Sequence, residues 1–116
     1  MKKLICTVLL AGAVAGCASD PAPTEQMRLT EQALVQARSV GATEQTAELA
    51  LAEQKLQAAV VALKDGDHRA ARLLAEQAEL DARLAEAKVL SDKSRLELAE
   101  VSRRIARLRE QLGGAQ

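Results

Sequence analysis

Few side chains in this chain can do covalent or acid–base chemistry, and their spacing decides what that chemistry could be. There are two cysteines, Cys6 and Cys17, and one histidine, His68. A thiol can accept a lipid, pair as a disulfide or hold a metal. His68 has no second His and no Cys near it with which to share a metal, so it reads as a surface residue at a helix start. Ser91, Ser94 and Ser102 lack a histidine at a useful distance, and no nucleophilic triad can be drawn. Glu76, Glu79 and Glu86 fall within an alternating charge pattern, as on a solvated helix face. Arg103, Arg104, Arg107 and Arg109 form a basic cluster interrupted by Ile105 and Leu108. It suits anionic lipid head groups or a wall polymer, and equally the flanks of a coiled coil near a helix C-terminus. These residues predict no catalytic site, no metal and no bound cofactor.

Composition narrows the field further. The 116 residues contain 48% hydrophobic side chains but no Trp, Tyr or Phe. Nothing can stack on a base, a sugar ring or a flavin. The length fits one domain. Sixteen basic side chains balance sixteen acidic ones. Nonspecific nucleic-acid binding has no electrostatic basis, and no nucleic-acid partner is expected.

Cys17 is the exception to the chemical silence. Met1-Lys2-Lys3 is a basic start, Leu4 to Val14 is apolar, and small residues lead up to Gly16 and Cys17. The apolar run is too short to span a bilayer, which takes about 20 residues. Residues 1–16 therefore read as a cleaved signal peptide. Val14-Ala15-Gly16-Cys17 resembles the lipobox of bacterial lipoproteins. That resemblance implies cleavage between Gly16 and Cys17, diacylglycerol on the Cys17 thiol, and an acyl chain such as palmitate on the new N-terminus. Several acyl chains hold a protein far more firmly than one. Cys6 leaves with the leader, so the mature chain has no free thiol and no disulfide. In well-studied lipoproteins an Asp after the cysteine favours inner-membrane retention. Here that position is Ala18, which implies an outer-membrane anchor facing the periplasm. Losing Lys2 and Lys3 leaves fourteen basic against sixteen acidic side chains, so lipid rather than charge would hold the membrane.

The elements behind these residues are helical. Residues 17–23 read as a lipidated tether, with Pro21 and Pro23 favouring extended backbone. From Thr24 to Leu112 there is no Pro, Gly occurs only at Gly41 and Gly66, and helix formers dominate. The helical domain spans 24–112 and the tail 113–116 reads as flexible. The fold class is all-α: a three-helix unit over about 25–40, 44–64 and 68–112. Thr24, Thr43 and Asp67 are the expected N-caps, and Gly41 and Gly66 the expected terminators. The short Asp65-Gly66-Asp67 turn predicts an antiparallel helical hairpin.

The third helix carries a heptad series. With Ala70 as position a, the a/d residues run Ala70, Leu73, Gln77, Leu80, Leu84, Ala87, Ser91, Ser94, Leu98, Val101, Ile105, Leu108 and Leu112. The register never slips, which predicts one continuous coiled-coil-like helix. A break at Ser91–Ser94, with the rest folding back as a fourth helix, is the alternative. A second stripe, Ala71, Leu74, Ala75, Ala78, Ala82, Ala85 and Val89, predicts burial on two sides in the first half. Leu29, Ala33, Ala37 and Val40 of helix one, and Leu49, Ala52, Leu56, Ala59 and Leu63 of helix two, are the expected partners. Leu98, Val101, Ile105, Leu108 and Leu112 form the candidate interaction stripe. Either a second copy or another protein covers it, or the chain packs back on itself.

Gly41-Ala42, the helix through Ala47-Glu48-Leu49-Ala50, and the run from Gly66-Asp67-His68 to Leu74-Ala75-Glu76-Gln77-Ala78 resemble the Ala-rich helical envelope proteins of domain-of-unknown-function family 4398. The likeness covers about Glu31 to Val89. It implies an envelope lipoprotein and brings no activity. Some relatives carry or neighbour a peptidoglycan-binding domain. No such domain follows here, so wall contact is not carried over. A common aromatic after the Gly-Asp turn is His68 in this chain. The expectation is therefore a structural or assembly module of the cell envelope, acting by helix–helix association with itself or an envelope partner. The alternative is a periplasmic adaptor or chaperone-like subunit for another envelope protein.

Overall fold

A computed structural model describes residues 20–114. Gly16, Cys17 and the leader lie outside the described residues, as do Ala115 and Gln116. Three helices follow one another: α1 Thr24–Ser39, α2 Ala47–Lys64 and α3 His68–Gly113. No strand occurs among the described residues. The all-α class and the three-helix order are as the sequence predicts.

Local chemistry explains the boundaries. Both expected glycines take positive φ, +107° at Gly41 and +79° at Gly66. At each, two backbone N–H groups close on the preceding helix. Gly41 donates to Arg38 O and Ala42 to Ala37 O. Gly66 donates to Leu63 O and Asp67 to Ala62 O. This double closure satisfies carbonyls that a helix end would otherwise leave bare. Asp67 then caps α3, its carboxylate accepting from Ala70 N at 2.9 Å. The other two expected caps are corrected. Thr24 is the first helical residue and Pro23 precedes it as the cap position. Helix α2 starts at Ala47 rather than residue 44. Residues 43–46 instead form a turn, in which Thr46 N donates to Thr43 O and Thr43 N donates to Thr46 Oγ1. The threonine hydroxyl that could cap a helix is engaged by the turn.

Helix α3 is continuous for 46 residues, about 69 Å. It passes through Ser91-Asp92-Lys93-Ser94 without interruption. Those residues cost a helix only tenths of a kcal/mol each, against about 1 for Gly and 3 for Pro. It also includes Gly113, one residue beyond the expected end.

Helix α3 is the common floor: both other helices pack on it, and they meet each other much less. Helix α2 runs antiparallel to α3, with Lys55 on Asp81 and Glu48 on Lys88. Helix α1 runs parallel to α3, with Gln26 opposite Glu79 and Gln36 opposite Glu86. The core lies along one face of α3 and is built of alanines: Ala71, Ala75, Ala78, Ala82 and Ala85, all fully buried. Leu34, Ala37, Ala42, Leu49 and Ala52 close one end of it, and Met27 and Ala59 the other. Small side chains let three backbones approach closely while burying little apolar area each.

Two expectations fail here. The a/d leucines of the first half are not buried: Leu73 is 55% exposed, Leu80 67% and Leu84 50%. Two helices can cover only one side of a third when both seek the alanine face. Helix α1 departs from the expected face in part: Ala37 is buried and Ala33 and Val40 are half-buried as expected. Leu29 is exposed, and Met27, Thr30, Leu34 and Ala37 are buried. Thr30 is the reason. Its hydroxyl lies 2.8 Å from Ala75 O of α3 and 2.9 Å from Gln26 O, so a polar residue enters the seam with its proton satisfied. The α2 face is as expected, with Leu49, Ala52 and Ala59 buried and Leu56 and Leu63 half-buried.

Candidate interaction surface

Contacts at the two ends of the α1–α3 seam decide what α3 leaves free. At the near end, the Asp20–Pro23 segment lies against the first turns of α3. His68 Nδ1 donates to Asp20 O at 2.6 Å, and Arg72 donates to Pro21 O at 3.1 Å. A carbonyl can only accept, so the ring proton sits on Nδ1. His68 is thus a strut for the incoming chain, and the segment docks rather than standing free. At the far end, Lys93 Nζ donates to Val40 O at 2.6 Å, placing a cation on the carbonyl end of α1. Docking stops there. From Ser94 onward α3 has no neighbour among the described residues and projects about 30 Å beyond the bundle.

All five residues of the predicted stripe lie on that projection and are exposed, from Ile105 at 43% to Leu112 at 73%. The chain does not pack back on them. The same a/d face continues down the docked half through Leu84, Leu80 and Leu73. Sequence reasoning assigned those three to the core, although the unbroken register already placed them in line with Leu98 and Ile105. The a/d face is therefore open along the whole helix, with exposed leucines at both ends and the polar Ser91 and Ser94 between them.

Charges border the seam. Arg83 pairs with Glu79, and Arg104 pairs with Glu100 at 2.9 Å. The exposed Arg104–Glu100 pair contributes at most about 1 kcal/mol. Glu25, paired with its neighbour Arg28, and two carboxyls that link helices have lowered pKa values. The Gln26 side-chain amide, then Arg83, favours the ionised form of Glu79, against the effect of its burial. Lys88 does the same for Glu48, helped by a backbone hydrogen bond. Both shifts follow from holding the bundle together. Within the Arg103–Arg109 cluster only Arg104 and Arg107 approach an acid, Glu100, among the described residues.

Ser91, Ser94 and Ser102 are exposed along α3, and no three His, Cys, Asp or Glu converge among the described residues. An open groove of about 600 Å³ separates α1 and α2 on the side away from α3. Its floor is Leu34 and Leu56, and its rims carry Glu31, Arg38 and Glu53. No helix among the described residues is long and apolar enough to cross a membrane.

A family model described as "Domain of unknown function (DUF4398)" matches residues 25–101. A solved crystal structure, of a DUF4398 family protein from Pseudomonas aeruginosa PAO1, is 59% identical. It covers 83% of this chain and 100% of its own, with a TM-score of 0.79. No curated protein matches the chain.

Proposed function

The chain belongs to the DUF4398 family, and from that premise we propose that it is an outer-membrane lipoprotein acting as a structural or assembly module of the cell envelope. Cys17 is its lipidation site, with cleavage after Gly16, and the helical domain faces the periplasm. It works by helix–helix association, not by catalysis. The observation that carries this reading is the uncovered a/d face of α3, which exposes Leu73, Leu80 and Leu84 in the docked half and the stripe from Leu98 to Leu112 in the projecting half. Exposed large apolar side chains grouped on one face mark an association site. The docked Asp20–Pro23 segment adds geometry: the anchor enters at one end of α3, and the projecting end lies about 69 Å away.

Sedimentation of residues 18–116 tests the association. A concentration-dependent oligomer is expected, returning to monomer in the Leu98→Asp plus Ile105→Asp variant. A monomer at every concentration, unchanged by those substitutions, sinks the self-association form. The anchor has its own test. In Cys17→Ser, acylation and lipoprotein-peptidase cleavage should disappear; unchanged processing and membrane attachment would refute the lipobox.

The groove between α1 and α2 favours one second reading, an adaptor or holdase for another envelope protein. Crosslinking in intact cells separates the two. Recovery of self-crosslinks alone counts against the adaptor.

A further inference from the structure

We infer that the occupant of the α3 seam is a second copy of this chain, lying antiparallel so that the projecting half of each α3 covers the exposed leucines of the other's docked half. This deepens the association reading above and rests on it. In this register Leu98 of one copy faces Leu80 of the second, and Ile105 faces Leu73. The leucines that α1 and α2 leave open are thereby covered, as is the helix that leaves the bundle. Ala87, Ser91 and Ser94 fall near the dyad, where small side chains let the helices approach.

Charge decides the orientation. Residues bordering a coiled-coil seam choose between parallel and antiparallel partners. In the antiparallel register Glu76 meets Arg104 of the second copy, and Arg83 meets Glu97. Symmetry repeats each pair, giving four attractive contacts. Lys88 meets its own counterpart on the other flank, but Glu48 already sits on its ammonium. A parallel pair would instead set Glu76 against Asp81, Arg83 against Lys88, and Arg104 against Arg109. None of the three is attractive; Asp81 and Lys88 already hold Lys55 and Glu48, so Arg104 against Arg109 is the repulsion left in full, repeated by symmetry. Nearly full overlap of two helices about 69 Å long and 10 Å wide covers on the order of 1,400 Å² in total, within the range of stable specific interfaces. His68 of one copy lies level with Glu110 of the other. The two anchored ends are then about 63 Å apart, and the dimer lies along the membrane surface.

The test uses the full chain in intact cells, where lipidation consumes Cys17. Two tagged copies are coexpressed, one carrying Leu80→Cys and the other Leu98→Cys, and treated with a short bifunctional thiol reagent. The expected product joins the two different copies, with no Leu98→Cys homodimer. Opposing charge variants supply a second readout. Glu76→Arg alone and Arg104→Glu alone each lower the crosslink yield about tenfold, and the two together in one chain restore it. A Leu98→Cys homodimer without the mixed product overturns the antiparallel arrangement while leaving self-association standing. Crosslinks only to other envelope proteins, with the folded soluble chain monomeric, overturn both.

Discussion

The docked half and the projecting half of α3 share one heptad register and one helix, yet they treat their apolar residues in opposite ways. In the docked half the smallest side chains, Ala71 through Ala85, are buried, and the large ones, Leu73, Leu80 and Leu84, face outward. In the projecting half no side chain is buried at all. On α3 the fully buried positions are all alanine, and the large side chains that fill the core, Leu34, Leu49 and Met27, come from α1 and α2. Two neighbours can both come close to α3 only across alanine. Thr30 adds a hydrogen bond to that contact without occupying much volume. The leucines of the a/d face are thereby left uncovered by the rest of the described chain.

Four experiments would break or sharpen this contrast, with the chain dilute enough to be monomeric. The largest effect is expected at Leu49, 1% exposed and wedged between α1, α3 and the Ala42 turn. Leu49→Ala should cost about 2–4 kcal/mol in denaturant unfolding. Leu108→Ala should stay within about 0.5 kcal/mol. Equal losses at both sites would mean that the projecting half is covered within the monomer. Next, Ala82→Leu should lower stability by about 1–3 kcal/mol through overpacking, while the same change at exposed Ala106 is neutral. If Ala82→Leu stabilises, the alanine seam is looser than described.

Removing the Thr30 hydroxyl is a smaller perturbation. Thr30→Val keeps the shape and loses the bond to Ala75 O, for about 1 kcal/mol in thermal melts. No loss would show that α1 docks by shape alone. The smallest effect is on pH. Glu48 and Glu79 have folded-state pKa values below their unfolded ones. Their stabilisation is therefore complete above the unfolded carboxylate value, about 4.3, and is lost as pH falls through the lower folded values. Melting temperature should drop below about pH 4.5, and Glu48→Gln plus Glu79→Gln should flatten that drop. An unchanged slope in the double variant would assign the acid sensitivity elsewhere.

Much of this architecture was legible because it depends on neighbours in sequence. Gly41 and Gly66 end helices through left-handed backbone, and Asp67 starts one with its own side chain. The α2 face follows from a helical period of Leu and Ala. What was not legible depends on partners far along the chain. The Thr43 cap gave way to a turn closed by Thr46. His68 finds the Asp20 carbonyl 48 residues away, and Thr30 finds that of Ala75. No local signal announces such pairings. The register placed Leu73, Leu80 and Leu84 in line with the candidate stripe Leu98–Leu112, but that they stay exposed was not readable.

By itself, the sequence determined the helices, their order, the antiparallel turn at Gly66 and the lipobox-like run ending at Cys17, because each rests on residues within a turn or two of one another. Only the tertiary structure decided which of α3's two apolar stripes is the core. Both have the right period, so periodicity is silent between them. The choice falls to the distance at which helices can pack, and alanine permits a closer approach than leucine does.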